Sequence, residues 1–536
     1  MIKQDKSITI RLSSWIDILL LAAFSTLCFA NIPFVLRLET LSSGFAGKLS
    51  WYPLFMLFVI FLFTKLKYGN GIKHHSSADK VFLAYIILLM VCSLASTISG
   101  LVMFPKNYDI LLQPDGGTYR LAKIFYFMGF DISNIAILKV RLAIRAIKGS
   151  VLSLVFTFIF SYILYYYISM NFGKYYKTLQ KGISISLLFI FSYSVVEIFF
   201  LSGARWADNT IGIITPFFHS IREYGTWWPP LYWWNQIRSI FAEPSYFGIY
   251  LSFALPFLWK RIYDGRLSIL TSISIFFITY LAFMTQARTA ILITFGEFIL
   301  FVIFTLLIPN RMIRLKTIYL SAIFLISFYG AVSFENYSPV LKNADISIFS
   351  EQHYSADKDT ENYFARNVSS VIGKENRSND SRYSVSLGNV KIGLQHPLLG
   401  VGEGLNSAYL PDNINDNTLS HNFEVRNWIR RMYRDGILNA GVPNMGEFVT
   451  RFAQNGAVGL VMFVVPWIYI FIRLSLHYLY LLKQKSSYMQ VLVCIALLIS
   501  VIGTFITGLG DNLNILYVPW VSLSFAYAYI FNFKSK

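Results

Sequence analysis

MQVLVCIALLISVIGTFITGL, residues 489–509, contains no charged side chain. A helix rises about 1.5 Å per residue, so about twenty such residues cover the ~30 Å hydrocarbon layer of a bilayer. Inside that layer every backbone N–H and C=O needs a partner within the protein, which a helix supplies from its own segment. The stretch therefore reads as a membrane-crossing helix. Comparable apolar runs lie near 15–36, 49–66, 79–104, 150–170, 182–202, 240–259, 267–286, 288–308, 315–334, 452–472 and 512–532. Together they predict an all-α, polytopic membrane protein of about twelve spans. Residues 1–334 then hold nine spans, 335–451 form a large outer loop region between spans nine and ten, and 452–536 hold the last three.

Composition agrees with that reading. The chain of 536 residues is 55% hydrophobic and 14% charged, whereas soluble domains carry about 25% charged residues. The net charge of +18 does not imply nucleic-acid binding, because the basic residues sit between apolar runs. They act instead as topology signals. With the N-terminus in the cytoplasm, the inner loops 65–80, 171–182, 260–266, 310–316 and 473–488 are short and basic. Both termini are then cytoplasmic, and the apolar run after MIKQDKSITIR is an uncleaved first span. Loop 105–149 falls outside under this topology, despite Arg141, Arg145 and Lys148. Within it, LAKIFYFMGFDISNIAIL (121–138) reads as interfacial or re-entrant, because Lys123, Asp131 and Asn134 interrupt it. The three cysteines lie in apolar runs and read as core residues.

The outer regions carry the chemistry. WWPPLYWW, residues 227–234, offers aromatic platforms such as Trp233 for sugar rings, or for the bilayer interface. Arginine concentrates in the outer loops, and its planar fork of donors suits phosphate and carboxylate. No Walker A sequence, dinucleotide fingerprint, HExxH or clustered Cys/His spacing occurs, so nothing in the chain calls for a nucleotide cofactor or a metal.

Three patterns stand out. In FAEPSYFGIYLSFALPF (241–257), Glu243 precedes a proline at a helix start. In FMTQARTAIL (283–292), Arg288 enters a helix at its positive end, where backbone amides and a guanidinium can hold an anion. In SRYSVSLGNVKIGLQHPLLGVGEGLNS (381–407), Arg382 heads an amphipathic helix. There Gly400, Gly402 and Gly404 mark a tight turn where backbone can approach a ligand. SHNF (420–423) follows, and His421 is a candidate proton acceptor near neutral pH. Arg426, Arg430, Arg431 and Arg434 are spaced to fall mostly on one helical face. Glu197 and Glu297 lie inside spans, where a carboxyl is costly unless paired or functional.

The order EPS, QAR, R…HPLLGVGEG…HN and TRFAQNGAVGL (450–460) resembles the O-antigen polymerase and ligase family over residues 240–460. The resemblance implies an inner-membrane enzyme acting on undecaprenyl-pyrophosphate-linked oligosaccharides at the periplasmic leaflet, without a nucleotide sugar or metal. It implies that a polymerase moves the growing glycan onto a second lipid-linked repeat unit, and that a ligase moves it to lipid A core. A chain-length regulator is a further expected partner. Arg288, Arg382 and His421 match the family's Arg and His positions, and Arg426 is a further candidate for the pyrophosphate. The chain departs from the family in the long spacing from His421 to Gly456 and in Gln454, which stands where an acid is usual. The base therefore stays open among His421, Glu243 and Glu447. The EPS pattern favours a polymerase; a ligase or a lipid-linked glycan flippase is the alternative.

Overall fold

The computed structural model describes residues 6–38, 43–68, 76–219, 236–265, 267–337, 377–484 and 487–534. Among them the chain is helical, with no strand. Although the first run expected to span, 15–36, is α-helical only as far as Ser25, each such run overlaps a helix. These are α1 (Lys6–Ser25), α2 (Trp51–Tyr68), α3 (Ser76–Val102), α6 (Phe160–Met170), α7 (Phe172–Leu201), α9 (Pro244–Arg261), α10 (Ile269–Met284), α11 (Arg288–Leu306), α12 (Arg311–Tyr337), α17 (Glu447–Lys483), α18 (Tyr488–Ile506) and α19 (Val518–Lys534). Outside these runs lie α4 (Gly116–Phe127), α5 (Asn134–Leu154), α8 (Arg205–Phe218), α13 (Arg377–Gln395), α14 (Asn406–Asn413), α15 (Asp416–His421) and α16 (Phe423–Asp435). Seven helices among the described residues are long and apolar enough to cross a membrane, and α10 and part of α1 are shorter apolar helices.

Burial sorts the bundle. Nearly every residue of α9 and the middle of α18 is buried, so these stretches are apolar all round and form its centre. Gly248 of α9 brings that helix against Ala290 of α11. Outer helices such as α3 expose Val81, Leu83 and Val91, side chains suited to lipid.

The 121–138 segment is not one element. It breaks at 128–133 into the end of α4 and the start of α5. Asp115 caps α4 through Thr118 and pairs with Arg141 of α5 at 2.6 Å, closing a helical hairpin. From Asn134 the helix runs on through a π-helical turn, Val155–Ile159, to Met170. At 37 residues it is about 55 Å long, far more than a ~30 Å hydrocarbon layer. Its N-terminal half leaves the bundle, and Leu142 joins a second hydrophobic core with Leu111, Val385, Ile392, Leu405 and Met432. The 105–149 loop and the described part of the long loop region thus share one cap of packed helices.

The glycine-rich turn has a different role from the one its sequence suggests. What approaches it is the backbone of α17. Helix α17 breaks at Gly456 (φ 64°). Across the break, Val401 N donates to Ala453 O at 2.9 Å, Gly402 N to Gln454 O at 2.8 Å, and Ala457 N to Pro397 O at 2.8 Å. A Cβ on Gly400 or Gly456 would overlap the facing backbone, and one on Gly100 of α3 would overlap the Val401 carbonyl. Glycine here lets three backbone segments meet and satisfies the groups freed by the break.

Candidate functional site

Glu243 is the N-cap of α9, and Pro244 supplies the first helical residue. Its carboxylate accepts from Ser245 Oγ at 3.3 Å. Arg288 opens α11 after the N-cap Ala287, two residues beyond Gln286, a non-glycine residue held at φ 48°. Arg382 lies in the second turn of α13. Its Nη1 donates to Gly510 O at 2.8 Å and to Asp511 Oδ1 at 3.3 Å. A Cβ on Gly510 would lie 3.9 Å from Thr289 Cγ2 and 4.0 Å from Arg382 Nη1, so the first turn of α11 reaches the same place. Helix α17 begins there too, since Glu447 N donates to Asp511 O at 3.2 Å.

Two helix N-termini, those of α11 and α17, therefore converge on the Gly510–Asp511 turn, with a guanidinium bonded to it, and the Glu243 carboxyl at the start of α9 lies within electrostatic reach of Asp511 and Arg382. Each helix start carries unsatisfied N–H groups and a partial positive charge. Positive charge from the helix ends and Arg382 there is opposed by the carboxylates of Asp511 and Glu243.

Those carboxylates are perturbed. Burial pushes the Glu243 carboxyl above its ordinary range, the neighbouring Asp511 charge pushes it further, and Arg382 opposes both. Burial likewise raises Asp511, opposed by Arg382. A buried carboxyl with raised affinity for a proton is suited to accept one from a hydroxyl.

His421 and Arg426 lie on the adjoining cap helices. His421 ends α15 and is exposed, with Nδ1 2.8 Å from Ser420 Oγ. The next residue, Asn422, donates to Asp380 Oδ2 at 2.8 Å and accepts from Ser381 Oγ at 3.0 Å, which ties it to the turn of α13 that carries Arg382. Arg426 Nη1 donates to Ser420 O at 3.1 Å. On α16, Val425, Ile429 and Met432 are buried while Arg430, Arg431 and Arg434 are exposed, the expected amphipathic division. Trp233 and the rest of WWPPLYWW lie outside the described residues, as do 338–376 of the long loop region.

Glu447 is held by the chain at both carboxylate oxygens. One oxygen binds Arg451 Nε at 2.7 Å and the other accepts from Leu513 N at 3.1 Å. Glu197 accepts from Ser239 N at 2.8 Å, which steadies the segment leading to Glu243, and Arg238 lies within its electrostatic reach. Glu297 is buried against Gly503 of α18, and among the described residues neither of its oxygens has a hydrogen-bond partner.

Sequence reasoning missed Asp511, Arg238 and Arg451. A signal existed for the first: Gly510-Asp511-Asn512 is a polar interruption between two apolar runs on the expected outer side. Among the described residues, no three of His, Cys, Asp and Glu are grouped so as to hold a metal ion. No protein-family model matches the chain, and no curated protein matches its sequence.

Proposed function

We propose that this protein is a polysaccharide polymerase. In this reading it transfers a growing glycan from undecaprenyl pyrophosphate to the non-reducing end of a second lipid-linked repeat unit, at the outer leaflet of a bacterial inner membrane. The bundle then has about twelve spans, both termini cytoplasmic, and the cap of packed helices on the periplasmic side. The observation that carries the reading is the meeting of the α11 and α17 N-termini with Arg382 and Asp511 at the Gly510–Asp511 turn, with the Glu243 carboxyl within electrostatic reach.

The chemistry follows from what such a place can do. The bond between the donor's anomeric carbon and its phosphate oxygen breaks, and the acceptor hydroxyl oxygen forms the new bond. Charge develops on the departing pyrophosphate, which fixed cations and helix-end amides stabilise. Arg382 and Arg288 take that role, with Arg426 further out on the cap. The acceptor's proton passes to Glu243, whose raised proton affinity fits a general base. His421, beside the same turn of α13, is the rival acceptor. Attack opposite the leaving group inverts the anomeric centre. The family resemblance supports the same substrate class, and the EPS pattern favours polymerase over ligase. A chain-length regulator would be the natural partner of such an enzyme.

The test is direct. Purified protein in nanodiscs is incubated with native lipid-linked repeat units, chelator and no nucleotide, and the glycans are separated on a gel. A ladder supports the polymerase. Transfer only when lipid A core is added would make it a ligase. No transfer to any acceptor, with folded protein, would sink the enzyme reading in favour of a flippase.

A further inference from the structure

Arg451 sits in the second turn of α17, 12% exposed, and makes contact with three separate parts of the chain. Its Nε binds Glu447 Oε1 at 2.7 Å, Nη1 lies 3.5 Å from Glu403 Oε2 in the glycine-rich turn, and Nη2 donates to Ser153 Oγ of α5 at 3.2 Å. The guanidinium also lies 4.9 Å from the Phe463 ring centre. Its partner Glu447, 2% exposed, has its second oxygen on Leu513 N and its own N–H on Asp511 O. The 511–513 turn is thus gripped at two points by one residue, and Arg451 fixes that residue's rotamer.

We propose that Arg451 is a positioning residue. Acting through Glu447, it holds the 511–513 turn so that Asp511 stays against Arg382, and it ties this setting to the glycine-rich turn and to α5. The role rests on reading the Arg382–Asp511–Glu243 cluster as the glycosyl-transfer site. Three features favour positioning over substrate contact. Glu447 is buried and Arg451 only 12% exposed, the polar groups of Glu447 are taken by the chain, and the restrained atoms belong to the turn that carries Asp511. Displacing a reacting constellation by about 1 Å costs about 100-fold in rate, so a loosened turn has a large catalytic effect without touching substrate affinity.

The full-length protein in nanodiscs carries the test, with Arg451→Gln, Arg451→Lys and Glu447→Gln assayed on native lipid-linked repeat units. Backbone hydrogen exchange of the peptide spanning 509–515 is read in parallel. Expected for Arg451→Gln is a kcat, per folded protein, lower by about 10- to 100-fold, KM within about two-fold, and faster exchange at Leu513. Arg451→Lys restores part of the rate, because a point charge pairs one carboxylate but lacks the guanidinium fork. If Arg451→Gln does not fold, Glu447→Gln, which keeps an acceptor for Leu513 N, decides the same question. Unchanged exchange at 509–515 overturns the clamp whatever the activity. Loss expressed mainly in KM overturns the positioning role. A wild-type protein that makes no polymer, with exchange still faster in Arg451→Gln, upholds the clamp and removes the functional reading instead.

Discussion

Arg382 and Asp511 meet at 3.3 Å across 129 residues of sequence. The first belongs to the helical cap and the second to the turn between two helices of the bundle, so this pair joins the cap to the bundle. The same guanidinium also caps the Gly510 carbonyl. Substituting Arg382 by Gln therefore removes a charge-assisted contact and a cation from the proposed pyrophosphate site together. Polymer formation should fall by about 100-fold or more, the scale seen when one donor to a developing charge is lost. Arg382→Lys should recover only part. A normal ladder from Arg382→Gln at equal protein would remove Arg382 from the site.

Glu243 and His421 give opposite expectations. Glu243 lies within electrostatic reach of both Arg382 and Asp511, whereas His421 is exposed on the cap. Glu243→Gln should cost at least about 100-fold in kcat and His421→Ala less than about 10-fold, the range spanned by general-base and peripheral contributions. The reverse ranking would make His421 the base.

The pH profile tests the same carboxyl. Groups acting on it are Asp511, Arg382, Ser245 and Tyr246. The active form is ionised, so activity is present above the Glu243 pKa and lost as pH falls through it. Burial and Asp511 raise that pKa above its ordinary 4.5, and the acid limb should lie correspondingly high. Asp511→Asn removes a like charge, lowers the pKa of Glu243 and should move the acid limb of kcat/KM to lower pH. A limb that stays put or moves up would break the assignment.

Gly503 and Glu297 form a tight steric pair, since a Cβ at 503 would overlap the carboxylate. Gly503→Ala should destabilise the bundle by about 1–3 kcal/mol, the usual cost of overpacking, read as a lowered Tm in nanodiscs. Adding Glu297→Ala should remove the overlap, so the double variant should be more stable than Gly503→Ala alone. Additive losses would show that the two side chains do not share one space.

The break in α17 gives a backbone prediction. Gly456 sits at φ 64° with the Leu398 carbonyl against it. Gly456→Ala adds both strain and overlap, and should lower Tm and reduce folded yield by more than Gly212→Ala, where nothing lies within 4 Å of the added methyl. Equal yields would mean the 397–402 turn can move away freely.

The length of each apolar run is a local property, and the bilayer's demand for internal hydrogen bonds turns such a run into a helix without reference to the rest of the chain. So the positions of the long helices, and their all-α character, were legible in the sequence. Glu243, Arg288 and Arg382 stood out for a similar reason, each being a charged residue at the start of, or just inside, a helical pattern. Asp511 and Arg451 did not, because an acid in a short turn and an arginine early in a helix are ordinary until their partners are known. The glycine-rich turn was visible as a turn, but not as a seat for the break in α17. Sequence by itself determined a helical membrane protein with charged residues at several helix starts. Only the tertiary structure decided that the starts of α11 and α17 face one turn, and that Arg382 of the cap reaches it. The cause is packing: α9 lies against α11 and α18, the 397–402 backbone fills the break in α17, and these non-local contacts bring distant charges within a few ångströms.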